Sequence, residues 1–151
     1  MKYLHTMIRT SNLDKTLDFY VKKLGLIELK RYENIPRKFT LVFLCASDDY
    51  NNAKRSKSPL IEITYNWPNH KSVTEELNIG RSFGHIAFKV KNIYEICDRL
   101  MKNNIIINRP PKDGYMAFIK SPDNISIELL QEGEPLKLKE PWASMSNIGT
   151  W

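Results

Sequence analysis

Two histidines stand at the heads of apolar runs that otherwise read as buried strands, His5 in "YLHTMIRT" and His85 in "RSFGHIAFKV". Two glutamates interrupt later apolar runs, Glu62 in "IEITY" and Glu128 in "IELLQ". A carboxylate inside such a run is costly to bury unless something offsets its charge. A lone histidine on an apolar strand is ordinarily a hydrogen-bonded core residue, but one that recurs in company with a glutamate asks for a common cause. Two neutral imidazoles and two carboxylates make an N2O2 donor set suited to an intermediate divalent ion such as Ni, Co, Fe, Mn or Zn. The ion would offset the burial of both glutamates. The set exists only if the four side chains face one cleft; on opposite sheet faces they would never meet.

The elements that must position these residues come in two copies. After His5, "SNLDKTLDFYVKKLG" reads as a helix with Leu13, Leu17, Tyr20, Val21 and Leu24 on one face, Ser11 and Asp14 as a capping box and Gly25 as a left-handed stop. After His85, "KNIYEICDRLMKNN" repeats the pattern with Ile93, Ile96, Cys97 and Leu100 as the stripe, Asn92 as cap with Glu95 three residues on, and Asn103 or Asn104 as terminator. His5 to His85 and Leu13 to Ile93 are both 80 positions apart, which points to an internal repeat. Strand-like runs follow each helix, "LIELKRYE", "KFTLVFLC" and "PLIEITYNW", then "NIIINR", "YMAFIK" and "ISIELLQ". Each half therefore reads βαβββ, an α+β architecture of two tandem modules, about 1–67 and 81–131, within one domain over 1–131. Glu62 and Glu128 are only 66 positions apart, so the first half carries extra chain, which the polar loop "ASDDYNNAKRSKSP" supplies.

With 151 residues, 42% of them hydrophobic, the chain can bury a core of this size. Its apolar stretches are strand-sized, too short to cross a bilayer, and no leader pattern precedes them, so a cytoplasmic protein without a membrane partner is expected. The charge of +6 would suit a nucleic-acid binder, but the basic residues are scattered, with only "KRSK" clustered, and no nucleic-acid partner is expected. Attraction of a small anionic substrate accounts for the charge equally well. Cys45 and Cys97 have neither the number nor the spacing of a disulfide framework or thiolate zinc site and read as buried free thiols.

The ordered set "LHTMIR", "IEITYNW", "RSFGHIAFKV" and "SPDNISIELL" resembles glyoxalase I, the lactoylglutathione lyases of the vicinal-oxygen-chelate superfamily, from Lys2 to Gln131. The resemblance implies a paired βαβββ fold and a homodimer with each metal between subunits, one contributing His5 and Glu62 and the other His85 and Glu128. It implies that Arg9, Asn66 and Arg81 hold the glutathione moiety, with Lys112 near its glycyl carboxylate. Arginine suits that task, because a guanidinium grips a carboxylate in bidentate fashion. The implied substrate is the hemithioacetal of methylglyoxal and glutathione, isomerised through an enediolate to S-lactoylglutathione. Glu128 takes the role of catalytic base, and Glu62 that of a ligand with a share in proton transfer. His5 in the first ligand position favours nickel or cobalt, while "RSFGHI" and "VKNIYEICDRL" look equally like the zinc class.

Two departures bear on the site. Many relatives have "DPDGY" before the last strand, where this chain has "SPDNI"; Asn124 can still occupy a left-handed turn position. The connection "NRPPKDGYMAF" is shorter than in some members, which bears on Lys112 and on the preferred thiol. His70, in "WPNHKS", is expected to be a solvent-exposed loop residue and not a fifth ligand. Residues 132–151 contain Pro135 and Pro141 and cannot form a long helix. Trp142, Met145 and Trp151 are large apolar groups for a loose end, so an extended arm packed on the body or on a partner subunit is expected. Rival readings are an acyl-CoA epimerase of the same superfamily and a metal-free small-molecule binding protein, which would not need all four donors.

Overall fold

The computed structural model describes residues 1–68, 77, 80 and 82–151. The chain divides into two compact units, Met1–Asn78 and Ile79–Trp151. The first runs β1 (His5–Thr10), α1 (Leu13–Leu17, continued by a π-helical stretch Asp18–Lys23), β2 (Ile27–Asn34), β3 (Phe39–Cys45), α2 (Tyr50–Ser56) and β4 (Leu60–Asn66). The second runs β5 (His85–Val90), α3 (Ile93–Lys102), β6 (Ile107–Arg109), β7 (Met116–Lys120) and β8 (Ser126–Gln131). Each unit holds one four-stranded sheet, ordered β1-β4-β3-β2 and β5-β8-β7-β6. The first and last strands of a unit pair in parallel, and the other neighbours are antiparallel. The expected α+β fold of two tandem βαβββ modules is therefore present.

Strand periodicity gives each sheet two unlike faces. In the first unit Ile8, Thr10, Val42, Leu44 and Ile63 are buried and share the face that meets the helix, where Thr10 Oγ1 lies 2.7 Å from Thr16 Oγ1. His5, Met7 and Arg9 alternate with them and point to the other, exposed face. In the second unit α3 packs on β6, β7 and β8 and buries Ile93, Tyr94, Cys97 and Leu100. Gln131, buried at the end of β8, accepts from Ile93 N at 2.9 Å and donates to Lys91 O, so the last strand fastens the start of the helix.

Three local expectations are adjusted. The first helix is capped by Asn12, whose side chain accepts from Lys15 N at 3.0 Å, and not by Ser11. Its buried residues are Thr16, Phe19, Tyr20 and Leu24: Tyr20 and Leu24 of the expected stripe hold, Thr16 and Phe19 take the places of Leu13, Leu17 and Val21, and the last turn is π-helical, with Leu24 N bonded to Phe19 O at 2.8 Å. The polar stretch 46–59 contains the helix α2, whose one buried residue, Ala53, packs with Cys45 and Leu60; a single buried alanine leaves almost no periodic signal. Asn92 caps α3 as expected, accepting from Tyr94 N and Glu95 N, and Asn124 takes the left-handed conformation at φ 62°.

Cys45 and Cys97 are free and buried. Burial pushes the Cys97 thiol up to about 12, so it is a protonated packing group and not a nucleophile.

Residues 132–151 pack on the second unit. Leu136 N donates to Gly114 O at 3.0 Å, Tyr94 Oη to Lys137 O at 3.1 Å, and Ile148 N to Asn108 O at 2.8 Å. Gly114, at φ 70°, admits no side chain, since a Cβ there would lie 2.1 Å from Leu136 O. Trp142 is 0% exposed and is the largest fully buried side chain of the chain's described residues. Trp142→Ala is expected to cost about 3–5 kcal/mol through lost burial and the cavity left behind. A thermal melt should register that as a fall of roughly ten degrees.

Candidate metal and substrate site

The parallel pairing of first and last strands brings each histidine to its glutamate. His5 is level with Leu60, and Glu62 is level with Met7, so imidazole and carboxylate lie on one face as diagonal neighbours. His85 is level with Ser126 and Glu128 with Ala87, which is the same register. His5 Nε2 lies 3.0 Å from Glu62 Oε2, and His85 Nε2 lies 3.1 Å from Glu128 Oε2. Both glutamate side chains are 14% exposed, and the histidines are 37% and 43% exposed. The different spacings of 80 and 66 are thus reconciled by register, most of the extra chain of the first half being spent between β3 and β4.

A phenylalanine floors each pair. Phe43 pairs across the sheet with Glu62 and Phe118 with Glu128. Each ring meets its histidine edge-on, at 6.0 Å for His5 and 5.5 Å for His85. These aromatics escaped the sequence reading because the Phe-to-Glu separations differ between the halves, so only the strand register aligns them. Among the described residues the halves differ at a polar contact: Thr64 Oγ1 donates to Glu62 Oε1 at 3.2 Å, whereas Leu130, two residues beyond Glu128, has no hydroxyl to offer. Glu62 is therefore fixed in orientation by a second donor, and Glu128 lacks that restraint.

The pairs fit a divalent cation by the chemistry of their donors. Each offers one imidazole Nε2 and one carboxylate oxygen in a half-exposed position, a burial that a cation would compensate. Among the described residues no three His, Cys, Asp or Glu side chains gather in one metal-sized group. The donors stand as two pairs, one on each unit.

Arg9 and Asn66 lie on the same exposed face as His5 and Glu62, each four residues further along its strand, or about 13 Å. Arg81 and His70 lie outside the described residues. Lys112 is half-buried in the connection between β6 and β7, where its N–H donates to Pro110 O at 2.8 Å. That connection enters the sheet at Met116, level with Leu130, beyond Glu128 along β8.

Asp113 shapes the same connection. Its carboxylate accepts from Arg109 Nη2 at 2.8 Å and from the N–H groups of Tyr115 and Met116 at 3.0 Å each. Partial burial pushes its pKa up, but Arg109 and the two backbone donors together outweigh that and hold it below the usual carboxylate value. A carboxyl lowered by folding contributes stability that is present above its unfolded value and is lost as pH falls through the folded one. Wild type is therefore expected to melt above Asp113→Asn near neutral pH, the gap closing as the solution is taken below about pH 4. Paired thermal melts across that range check it.

Comparison with known proteins places the fold in a family. The family model of the glyoxalase/bleomycin resistance protein/dioxygenase superfamily matches residues 2–129. A probable lactoylglutathione lyase of Vibrio cholerae is 38% identical over 135 residues, covering 86% of this chain and 90% of that protein. The lactoylglutathione lyase of Neisseria meningitidis serogroup A is 36% identical over 137 residues, covering 87% and 91%. Among solved structures, the trypanothione-dependent glyoxalase I of Leishmania major superposes with a TM-score of 0.74 at 34% identity, covering 87% of this chain and 86% of that one. Glyoxalase I from Zea mays gives 0.72 at 25% identity, covering 88% of this chain and 45% of that one. A family match over nearly the whole two-module body, with relatives of this identity and coverage, is decisive: the chain belongs to the glyoxalase/bleomycin resistance protein/dioxygenase superfamily, among its glyoxalase I lyases.

Proposed function

We propose that the chain is a metal-dependent lactoylglutathione lyase that converts the methylglyoxal–glutathione hemithioacetal to S-lactoylglutathione. The observation that carries this is the duplicated His–Glu pair, in one register on both units, at 3.0 and 3.1 Å. A single pair would serve as a structural hydrogen bond. Two pairs in matching half-exposed positions supply the four donors of one divalent ion, His5 and Glu62 from a first module and His85 and Glu128 from a second. We assign nickel or cobalt in preference to zinc, as the resemblance to the bacterial class suggests. We further propose a homodimer in which each complete set joins the first-unit pair of one subunit to the second-unit pair of the other. Each unit brings one pair to such a set.

When bound, the ion supplies Lewis acidity toward the two adjacent substrate oxygens. The protein's own groups do the rest. Glu128 removes the proton from the carbon that bears sulfur and returns it to the neighbouring carbonyl carbon, while the hydroxyl proton passes to the neighbouring oxygen. The first carbon becomes the thioester carbonyl and the second carries the new hydroxyl, with no net oxidation. Glu62, oriented by Thr64, is chiefly a ligand with a share in the proton transfer. Phe43 and Phe118 keep water from the apolar side of each pair. Arg9, Asn66, Arg81 and Lys112 are the substrate-binding residues: the cations Arg9, Arg81 and Lys112 suit the carboxylates of glutathione, and the Asn66 amide can hydrogen-bond to it. The two unpaired buried thiols fit a reducing, cytoplasmic setting, and no helix among the described residues is long and apolar enough to cross a membrane.

The test is to strip the purified protein with a chelator, restore Ni, Co or Zn separately, and follow thioester formation from methylglyoxal and glutathione. Turnover that vanishes on stripping and returns with nickel or cobalt is expected. Turnover of an acyl-CoA thioester instead, or ligand binding without turnover, would overturn the assignment.

A further inference from the structure

The two half-sites serve as controls for one another, and among the described residues the second has an aromatic contact that the first does not show. Trp151 stacks on Phe118 with ring centroids 5.8 Å apart and planes at 27°, and Phe118 in turn meets His85 edge-on at 5.5 Å. The indole is brought there by a clasp. Ile148 N donates to Asn108 O at 2.8 Å, Asn108 Nδ2 donates to Ile148 O at 3.0 Å, and Gly149 at φ 66° turns the chain toward the sheet. Phe43, the counterpart floor of the first unit, is half-buried, whereas Phe118 is only 7% exposed. His85 is no more covered than His5, at 43% against 37%, and the glutamates match at 14%. Trp151 therefore narrows the apolar side of the pair without closing over its donors, and it keeps 41% of its own surface exposed.

We propose that Trp151 is a specificity-determining wall of the second half-site, selecting hemithioacetals whose aldehyde carries an aromatic or extended apolar group. The inference rests on the lyase reading for its reaction but on the aromatic stack for its geometry. A substituent on the carbon next to the reacting one points away from the donors. On this reading a methyl group is too short to use the aromatic pair, whereas a phenyl ring, longer by a ring's width, would meet Phe118 and Trp151 in stacked or edge-on contact. Such contacts add to the burial of the ring itself and together correspond to about a tenfold preference.

The experiment compares kcat/KM for the glutathione hemithioacetals of phenylglyoxal and methylglyoxal in wild type, Trp151→Ala and Trp151→Phe, each metal-loaded. Trp151→Ala is expected to lose about tenfold on the phenyl substrate and less than about twofold on the methyl one, and Trp151→Phe to recover most of the loss. Equal losses on both substrates, or none on either, would overturn the wall. A second readout needs no turnover: S-benzylglutathione, which cannot isomerise, should quench tryptophan fluorescence in wild type and bind with similar affinity but without that quenching in Trp151→Phe. Quenching unchanged in Trp151→Phe also counts against the wall. If neither hemithioacetal is turned over by wild type while the Trp151-dependent quenching holds, the reaction assigned above falls and the wall stands.

Discussion

Glu128→Gln is expected to lower kcat for the methylglyoxal hemithioacetal by about a thousandfold, the scale on which a positioned general base contributes. Glutamine keeps the length and shape of the side chain and an oxygen for a cation, so the loss reports the missing proton acceptor. Glu62→Gln is the informative partner. Both glutamates are equally exposed and sit at matching distances from their histidines, so pair geometry alone does not divide their roles. Thr64 does, by holding Glu62 Oε1 at 3.2 Å, whereas Leu130 makes no equivalent bond to Glu128. A ligand gains from being held still; a base must leave its partner, reach the carbon and return. Glu62→Gln should therefore show its main defect as weaker metal retention, with activity recovering in excess nickel or cobalt. Glu128→Gln should stay inactive however much metal is supplied. Equal, metal-insensitive losses in both variants would mean that the two carboxylates share the base role.

Much of this site is legible in the sequence because the repeat is visible twice, once in the helices and once in the closing strands. The equal 80-residue separations identify the modules, and the isoleucine-flanked glutamates identify the closing strands. Apolar flanks on a parallel pair carry the histidine and glutamate to the same face through strand period alone. Phe43 and Phe118 are less legible because hairpins of unequal length separate each from its glutamate, and ladder register is a long-range property that local periodicity does not encode. The π-helical turn after Leu17 is hidden for the opposite reason: one inserted residue shifts a stripe by about a quarter turn, which a regular 3.6-residue template reads as noise. Trp151 is noticeable as an unusual residue for an exposed end, yet only the clasp between Asn108 and Ile148 explains its position.

Mixing two dead variants is expected to restore activity. One carries His5→Ala with Glu62→Gln and has lost the first-unit pair; the other carries His85→Ala with Glu128→Gln and has lost the second-unit pair. Each alone has no intact set of four donors and should be inactive. Each unit carries one His–Glu pair, and the proposed homodimer completes a site by joining a first-unit pair to the other subunit's second-unit pair. After the subunits are separated in mild denaturant and reassociated together, about half the dimers are mixed, and a two-fold arrangement gives each mixed dimer one intact site and one doubly broken site. Recovery should then approach about a quarter of wild-type turnover at equal amounts, falling as either variant is made scarce. If the four donors instead came from a single chain, every site in every dimer would retain two substitutions and no mixture would recover. The readout thus separates a shared site from a self-contained one without requiring that either variant bind metal by itself, and a thermal melt of each variant confirms that inactivity is not loss of fold. The substitutions fall on the exposed sheet faces and away from the buried Ile8, Ile63, Ile127 and Leu129, so both variants should assemble as wild type does.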